Sequence, residues 1–256
     1  MNYLIRYSYF THIGKVRKTN QDNYLVNGEI LSPDKPNDHS SSGVLDTEHW
    51  PLVGVFDGMG GEERGETASL IAAETAKEFR IGDNAVVSLL SLCQKANRKI
   101  CAFAKENGIR AMGTTAAMLA FGAKSVTLCN IGDSKVFLFA DGELEQISED
   151  HYAIGIPGAK PPLSQNLGIP EKEMMIEPYE AVGEYHDTDL YLICSDGLTD
   201  MVKTERITEI LKHAPFETIV DQLMEEAMKQ GGEDNTTIIV CRVEAKKKGF
   251  LHGLFG

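Results

Sequence analysis

Apolar and polar positions along this chain fall into blocks of two different periods. In residues 3–10, YLIRYSYF, aromatic and β-branched residues recur at short spacing and predict a strand, as they do in residues 22–30, which run into the turn formers Ser32, Pro33 and Asp34. Residues 32–49 hold Pro, Asp, Asn, Ser and Gly without periodicity, so they predict an exposed polar insertion between strands. Leu52 to Phe56 is a short apolar strand. The period then changes. Ala68, Ile71, Ala72, Thr75, Ala76 and Phe79 form one helical stripe and Val86, Leu89, Leu90, Cys93, Ala96 and Ile100 another, predicting helices over 62–79 and 84–107. Beyond Gly108, strands are predicted at 114–121, 125–131, 134–140 and 143–148, with Asp141-Gly142 as a tight hairpin turn. A Pro- and Gly-rich stretch from Gly155 to Pro170 precedes strands at 173–179 and 189–194, helices at 204–213 and 216–229, and a last strand at 236–243. Pairs of helices alternating with blocks of strands do not follow a βαβ rhythm. They point to an α+β fold of sheets packed on each other and covered by helices.

Composition narrows this to one globular domain: 256 residues, 42% hydrophobic and 25% charged, fit a single packed unit, placed at 1–244 with a tail at 245–256. The 38 Asp plus Glu against 25 Lys plus Arg give a net charge of −13, which disfavours nucleic acid and anionic membranes and leaves carboxylates for cations. The five cysteines form no C-x-x-C pair, so neither a disulfide framework nor a structural zinc is expected. Met1 to Phe10 lacks the apolar core of a signal peptide, and no run reaches the roughly 18 apolar residues of a membrane span. A cytoplasmic monomer is the expectation. The basic and apolar tail from Lys246 to Phe255 is read as a frayed terminus rather than a membrane contact.

Chemistry concentrates in short acidic segments at strand ends: Asn20-Gln21-Asp22, Asp57-Gly58-Met59-Gly60-Gly61, Gly132-Asp133-Ser134, Ser195-Asp196-Gly197 and Gly232-Glu233-Asp234-Asn235. Singly, each is an ordinary turn. Together they bring several carboxylates from distant positions, the donor set that Mg²⁺ and Mn²⁺ prefer. No histidine pair has ligand spacing, although His151 is notable for following Asp150. Asp187-Thr188-Asp189 precedes its strand instead of following one, unlike the nucleophile of haloacid dehalogenase-type phosphatases. Neither Cys93 nor Cys194 is followed by Arg at the spacing of cysteine phosphatases.

The ordered set of motifs resembles one family, the type 2C (PPM) protein phosphatases. Residues 14–22 (GKVRKTNQD), 53–61 (VGVFDGMGG), 113–116 (GTTA), 130–135 (NIGDSK), 194–200 (CSDGLTD) and 231–237 (GGEDNTT) resemble its motifs in order, so the resemblance covers residues 8–243. It implies a four-layer αββα sandwich, two antiparallel sheets flanked by helix pairs, with a metal site at one end. By that resemblance Asp57 bridges two Mn²⁺ or Mg²⁺ ions. Asp196 and Asp234 complete the shell of the first ion, the Gly58 carbonyl and Asp22, through water, serve the second ion, and Asp133 with Asp196 forms a weaker third site. The implied reaction is hydrolysis of phosphoserine and phosphothreonine on proteins by a hydroxide held between the two ions. Arg17, five positions before Asp22, is the candidate phosphate clamp, with a surface arginine as the alternative. Implied partners are phosphorylated proteins and a serine/threonine kinase acting on the same targets.

Three departures stand out. Met59 occupies the place where many members carry a proton-donating His, Lys135 replaces the usual arginine, and the segment from His151 to Leu167 is shorter than the family's flap. The short loop predicts an open cleft. A non-catalytic module on the same fold and a hydrolase of small phosphate esters remain the rival readings.

Overall fold

Strand β1 (Tyr3–His12) finds its partner at the far end of the chain, in β12 (Thr236–Ala245). They pair antiparallel over their whole length, from Tyr3 opposite Ala245 to His12 opposite Thr236. The computed structural model, which describes residues 3–59, 64–155 and 160–246, builds two six-stranded antiparallel sheets around this and a second pairing. Sheet one adds β3 (His39–Asp46), β8 (Lys135–Ala140), β9 (Glu143–Gln146) and β11 (Leu190–Cys194), in the order β3-β1-β12-β11-β8-β9. Sheet two contains β2 (Asp22–Leu25), β4 (Leu52–Met59), β6 (Ala116–Phe121), β7 (Ser125–Ile131) and β10 (Tyr179–Glu184), in the order β10-β7-β6-β4-β2, while the two-residue β5 (Gly113–Thr114) pairs with the end of β4.

Central strands are buried on both faces, which is why their sequences are apolar runs instead of alternations. In β6, Ala117, Leu119 and Phe121 enter the core between the sheets, whereas Ala116, Met118 and Ala120 face the layer covered by α1 (Gly65–Glu78) and α2 (Ala85–Glu106). In β12, Ile239, Cys241 and Val243 likewise turn inward. Ile238 and Val240 meet α4 (Thr204–His213) and α5 (Ile219–Lys229) on the opposite side of the molecule. Three apolar layers thus separate four structural ones, the αββα sandwich that the motifs imply. Local signals set several boundaries. Asn84 caps α2 by accepting from the Val87 N–H at 3.1 Å, and Asp141 and Gly142 both take positive φ, 53° and 86°, as a two-residue hairpin demands.

The structure corrects four expectations. Residues 39–46, expected within a polar insertion, form the edge strand β3, in register from Leu4 opposite Asp46 to Thr11 opposite His39. Only Leu45 of this strand is buried, so hydrophobic patterning could not reveal it. Gly43 gives the reason it fits: a side chain there would lie 2.6 Å from the Tyr7 hydroxyl, its cross-strand neighbour. The strand expected over 22–30 stops at Leu25 because Asn27 and Gly28 turn the chain with positive φ. The strand expected at 173–179 begins only at Tyr179, and the last helix starts with a 3₁₀ turn at Phe216–Thr218. Gly60 and Gly61 of the second motif and tail residues 247–256 lie outside the described residues.

Candidate active site

The rim of the sandwich is where strands from both sheets end in acid. Asp22 opens β2 and stands in register with Asp57 of β4. Asp133 follows β7 in a turn made by Gly132 at φ 99°, Asp196 follows β11 as the first residue of α3 (Asp196–Thr199), and Asp234 lies two residues before β12. Glycine is required where these segments cross. A side chain on Gly58 would sit 2.3 Å from the Gly65 carbonyl oxygen, and one on Gly197 2.0 Å from that of Asn235.

Hydroxyls and amides from the same motifs hold the acids in place. The Ser195 and Thr237 hydroxyls donate to Asp22 Oδ2 at 2.7 and 2.8 Å, and the Thr237 N–H donates to Ser195 Oγ at 2.9 Å, tying β2 to the other sheet. The Asp57 N–H donates to Thr115 Oγ1 at 3.0 Å, while the Thr115 N–H and the Thr114 hydroxyl donate to the Asp57 carbonyl at 2.8 and 2.9 Å. Asn235 reaches the other way, its side-chain amide donating to the carbonyls of Ile13 and Thr19 and accepting from the Gln21 N–H. That clip docks the segment carrying Arg17 against Asp234, whose Oδ2 accepts from Arg17 at 2.6 Å.

Five carboxylates in one neighbourhood repel one another, and burial makes each charge costlier still. Burial pushes Asp22 up to about 7, opposed by its two hydroxyl donors and reinforced by Asp196 and Asp234. Burial likewise holds Asp57 well above the carboxylate range, with Asp196, Asp22, Asp133 and Asp234 adding to it, and Asp133 is raised by burial and by Asp196. Asp22 Oδ1 is buried with no hydrogen-bond partner. An orphaned carboxylate oxygen on an acid in register with Asp57 and under the charge of Asp196 and Asp234 is a fit for a hard divalent cation. Among the described residues no three His, Cys, Asp or Glu side chains are gathered closely enough to hold an ion. The carboxylates are shared out instead between two side-chain cations, Arg17 on Asp234 and Lys160 on Asp133, Asp196 and Asp200.

Lys160 went unnoticed in the sequence, where a lone lysine in a Pro- and Gly-rich loop carries no signal. The loop was expected to leave the cleft open; residues 156–159 lie outside the described residues, but Lys160 reaches the acids. Ser195, Thr115 and Thr237 were visible as motif members, but not as supports. His151 holds the Gly132 turn, its Nδ1 lying 3.3 Å from both the N–H and the carbonyl oxygen of Gly132. Lys135 pairs with Asp150, which also accepts from Gln146 Nε2 at 2.8 Å.

The raised acids fix a pH dependence for the protein in chelator. Between the ordinary carboxyl value, near 3.8, and about 7, the unfolded chain has released the Asp22 proton and the folded chain retains it, so stability falls as pH rises through this window. Thermal midpoints measured in EDTA should decline from pH 4 to 7, and the decline should shrink in Asp22→Asn. A midpoint that rises across this range would contradict the raised values.

The profile of the family described as Protein phosphatase 2C matches residues 31–237. Serine/threonine protein phosphatase PstP of Mycobacterium tuberculosis is 28% identical over 254 residues, covering 94% of this chain, which spans only 45% of that relative. Serine/threonine phosphatase stp of Listeria monocytogenes is 27% identical over 260 residues, covering 93% of this chain and 96% of the relative. Among solved structures, the catalytic domain of PstP in complex with two manganese ions superposes with a TM-score of 0.77 at 27% identity, covering 95% of this chain and all of that one. A family profile spanning most of the chain and a matching sandwich agree: this chain belongs to the protein phosphatase 2C family.

Proposed function

We propose that this protein is a metal-dependent phosphatase that hydrolyses phosphoserine and phosphothreonine on proteins. The observation that carries the reading is the buried, unpartnered Asp22 Oδ1 in the acidic cluster where Asp57 feels Asp196, Asp22, Asp133 and Asp234, in a chain of this family. Asp57, Asp196 and Asp234 would hold one divalent cation; Asp57, Asp22 and the Gly58 carbonyl would hold a second. Asp133 and Asp196 form the remaining acidic pair. When bound, Mn²⁺ or Mg²⁺ supplies the positive charge that acidifies water and offsets charge on the phosphoryl oxygens.

The chain's own groups do the rest. Ser195 and Thr237 fix the Asp22 carboxylate and Thr114 and Thr115 the Asp57 backbone before substrate arrives, so little reorganisation accompanies the reaction. Arg17, half-exposed and bonded to Asp234 through one nitrogen, keeps the rest of its guanidinium fork for phosphate oxygens. Met59 carries no proton, so the leaving alkoxide takes its proton from water. Phosphorylated proteins, a serine/threonine kinase acting on the same targets, a cytoplasmic location and a monomeric single domain over 1–244 complete the proposal. Five free cysteines support the location, and among the described residues no helix is long and apolar enough to cross a membrane. The direct test is hydrolysis of a phosphothreonine peptide with Mn²⁺, where turnover of small phosphate esters alone would favour the narrower hydrolase and no turnover the binding module.

Arg17→Ala should raise KM and lower kcat together, because a clamp on phosphate acts on ground state and transition state. Charge-assisted hydrogen bonds worth about 1.5–3 kcal/mol correspond to a loss of about tenfold to a hundredfold in kcat/KM. Wild-type kinetics would return Arg17 to an ordinary surface residue.

A further inference from the structure

Lys160 sits among three carboxylates. Its Nζ lies 3.3 Å from Asp133 Oδ2 and 2.9 Å from Asp200 Oδ2, and it also contacts Asp196 Oδ2. An ammonium has three N–H donors and no acceptor, so three carboxylates use its capacity fully. Asp133 Oδ2 receives a further bond from the Tyr152 hydroxyl at 3.2 Å, which orients the carboxylate toward the same point.

The loop is built to deliver this lysine. Its neck is pinched by the Ala153 N–H donating to the Pro162 carbonyl at 2.9 Å and the Ser164 N–H donating to the His151 carbonyl at 2.8 Å, with Tyr152 bridged to Leu163. Pro161 directly follows Lys160 and restricts its backbone to extended conformations, and it packs close to Gly155 across the neck. His151 anchors the near side of the neck to the turn that carries Asp133. A short, braced tether of this kind gives the ammonium an effective concentration on the order of millimolar, without any free ligand.

We propose that Lys160 is a built-in third cation: its ammonium occupies the position between Asp133 and Asp196 that would otherwise take a weak third metal ion, so the protein works with two. The proposal rests on the two-ion reading above. Asp200 favours an ammonium there, since it supplies the third hydrogen-bond acceptor where the pair alone offers two. The two ions assigned to Asp22, Asp57, Asp196 and Asp234 are unaffected except at Asp196, which serves both an ion and the lysine.

Equilibrium dialysis against Mn²⁺, with bound metal counted by atomic emission, reads this without any assay of activity. The wild-type protein should saturate at two ions per chain. Lys160→Met, which keeps the stem and removes the charge, should bind a third ion at least tenfold more tightly than wild type, with the first two unchanged; Lys160→Gln should behave alike, guarding against a packing defect in one variant. Adding Asp133→Asn to Lys160→Met should abolish the third ion. Identical titrations for wild type and both Lys160 variants, with two ions or with three, would overturn the proposal and leave the two-ion reading standing. Absence of Mn²⁺ from the wild-type protein would overturn both.

Discussion

Asp57→Asn should fold as wild type and hydrolyse a phosphothreonine peptide at least ~10³-fold more slowly, a loss of about 4 kcal/mol in transition-state stabilisation. Asparagine keeps the shape of aspartate and both backbone bonds to Thr115, so the strand end is undisturbed. What it removes is a charge held at a cost. Asp57 is raised well above the carboxylate range by burial and by Asp196, Asp22, Asp133 and Asp234. The same substitution should therefore stabilise the chelated protein while it abolishes turnover. Both readouts are needed: near-normal kcat would remove Asp57 from the reaction, and a lowered thermal midpoint in EDTA would show that mutual repulsion is not what the site stores.

Rigorous chelation should eliminate hydrolysis, and Mn²⁺ should restore it more fully than Mg²⁺. The cluster gives the reason: buried acids with one orphaned oxygen cannot by themselves activate water or neutralise a phosphoryl group, because they carry the same sign of charge as the substrate. Turnover that survives dialysis against EDTA would end the metal-dependent reading.

Much of this was legible in the residues. Apolar runs and helical stripes placed most central strands and all four long helices within a few positions, because strands buried on two faces and helices buried on one leave unmistakable patterns. Strand β3 was not legible: its His-Ser-Ser-Ser-Gly run satisfies only the open edge of β1, and the pairing is set by a strand some thirty positions away instead of by its own composition. At the rim, Asp57, Asp133, Asp196 and Asp234 announced themselves through neighbouring glycines, whereas Asp22 sits in Asn20-Gln21-Asp22 without one. Lys160 did not announce itself, since a lone charge in a loop has no period and acquires meaning only from what the fold places beside it, and Asp200, though a motif member, had no stated partner. The supporting hydroxyls fall between these cases, present in the motifs but without a stated partner until the sheets were assembled.

The pairing of β1 with β12 also bears on how the molecule is made. Thr11 and Thr237, whose hydroxyls meet at 2.8 Å, are 226 residues apart. During synthesis β1 emerges early and must wait, with one edge unsatisfied, until nearly every later element has left the ribosome. Contacts of such long sequence separation slow folding and leave strand edges open to wrong partners. The helical layer over sheet two and the β6–β7 hairpin can form beforehand, but sheet one closes last. Closure brings Asp234 and the Asn235 clip to the rim in the same event, so a chain stalled short of β12 has neither a complete sheet nor a complete set of acids.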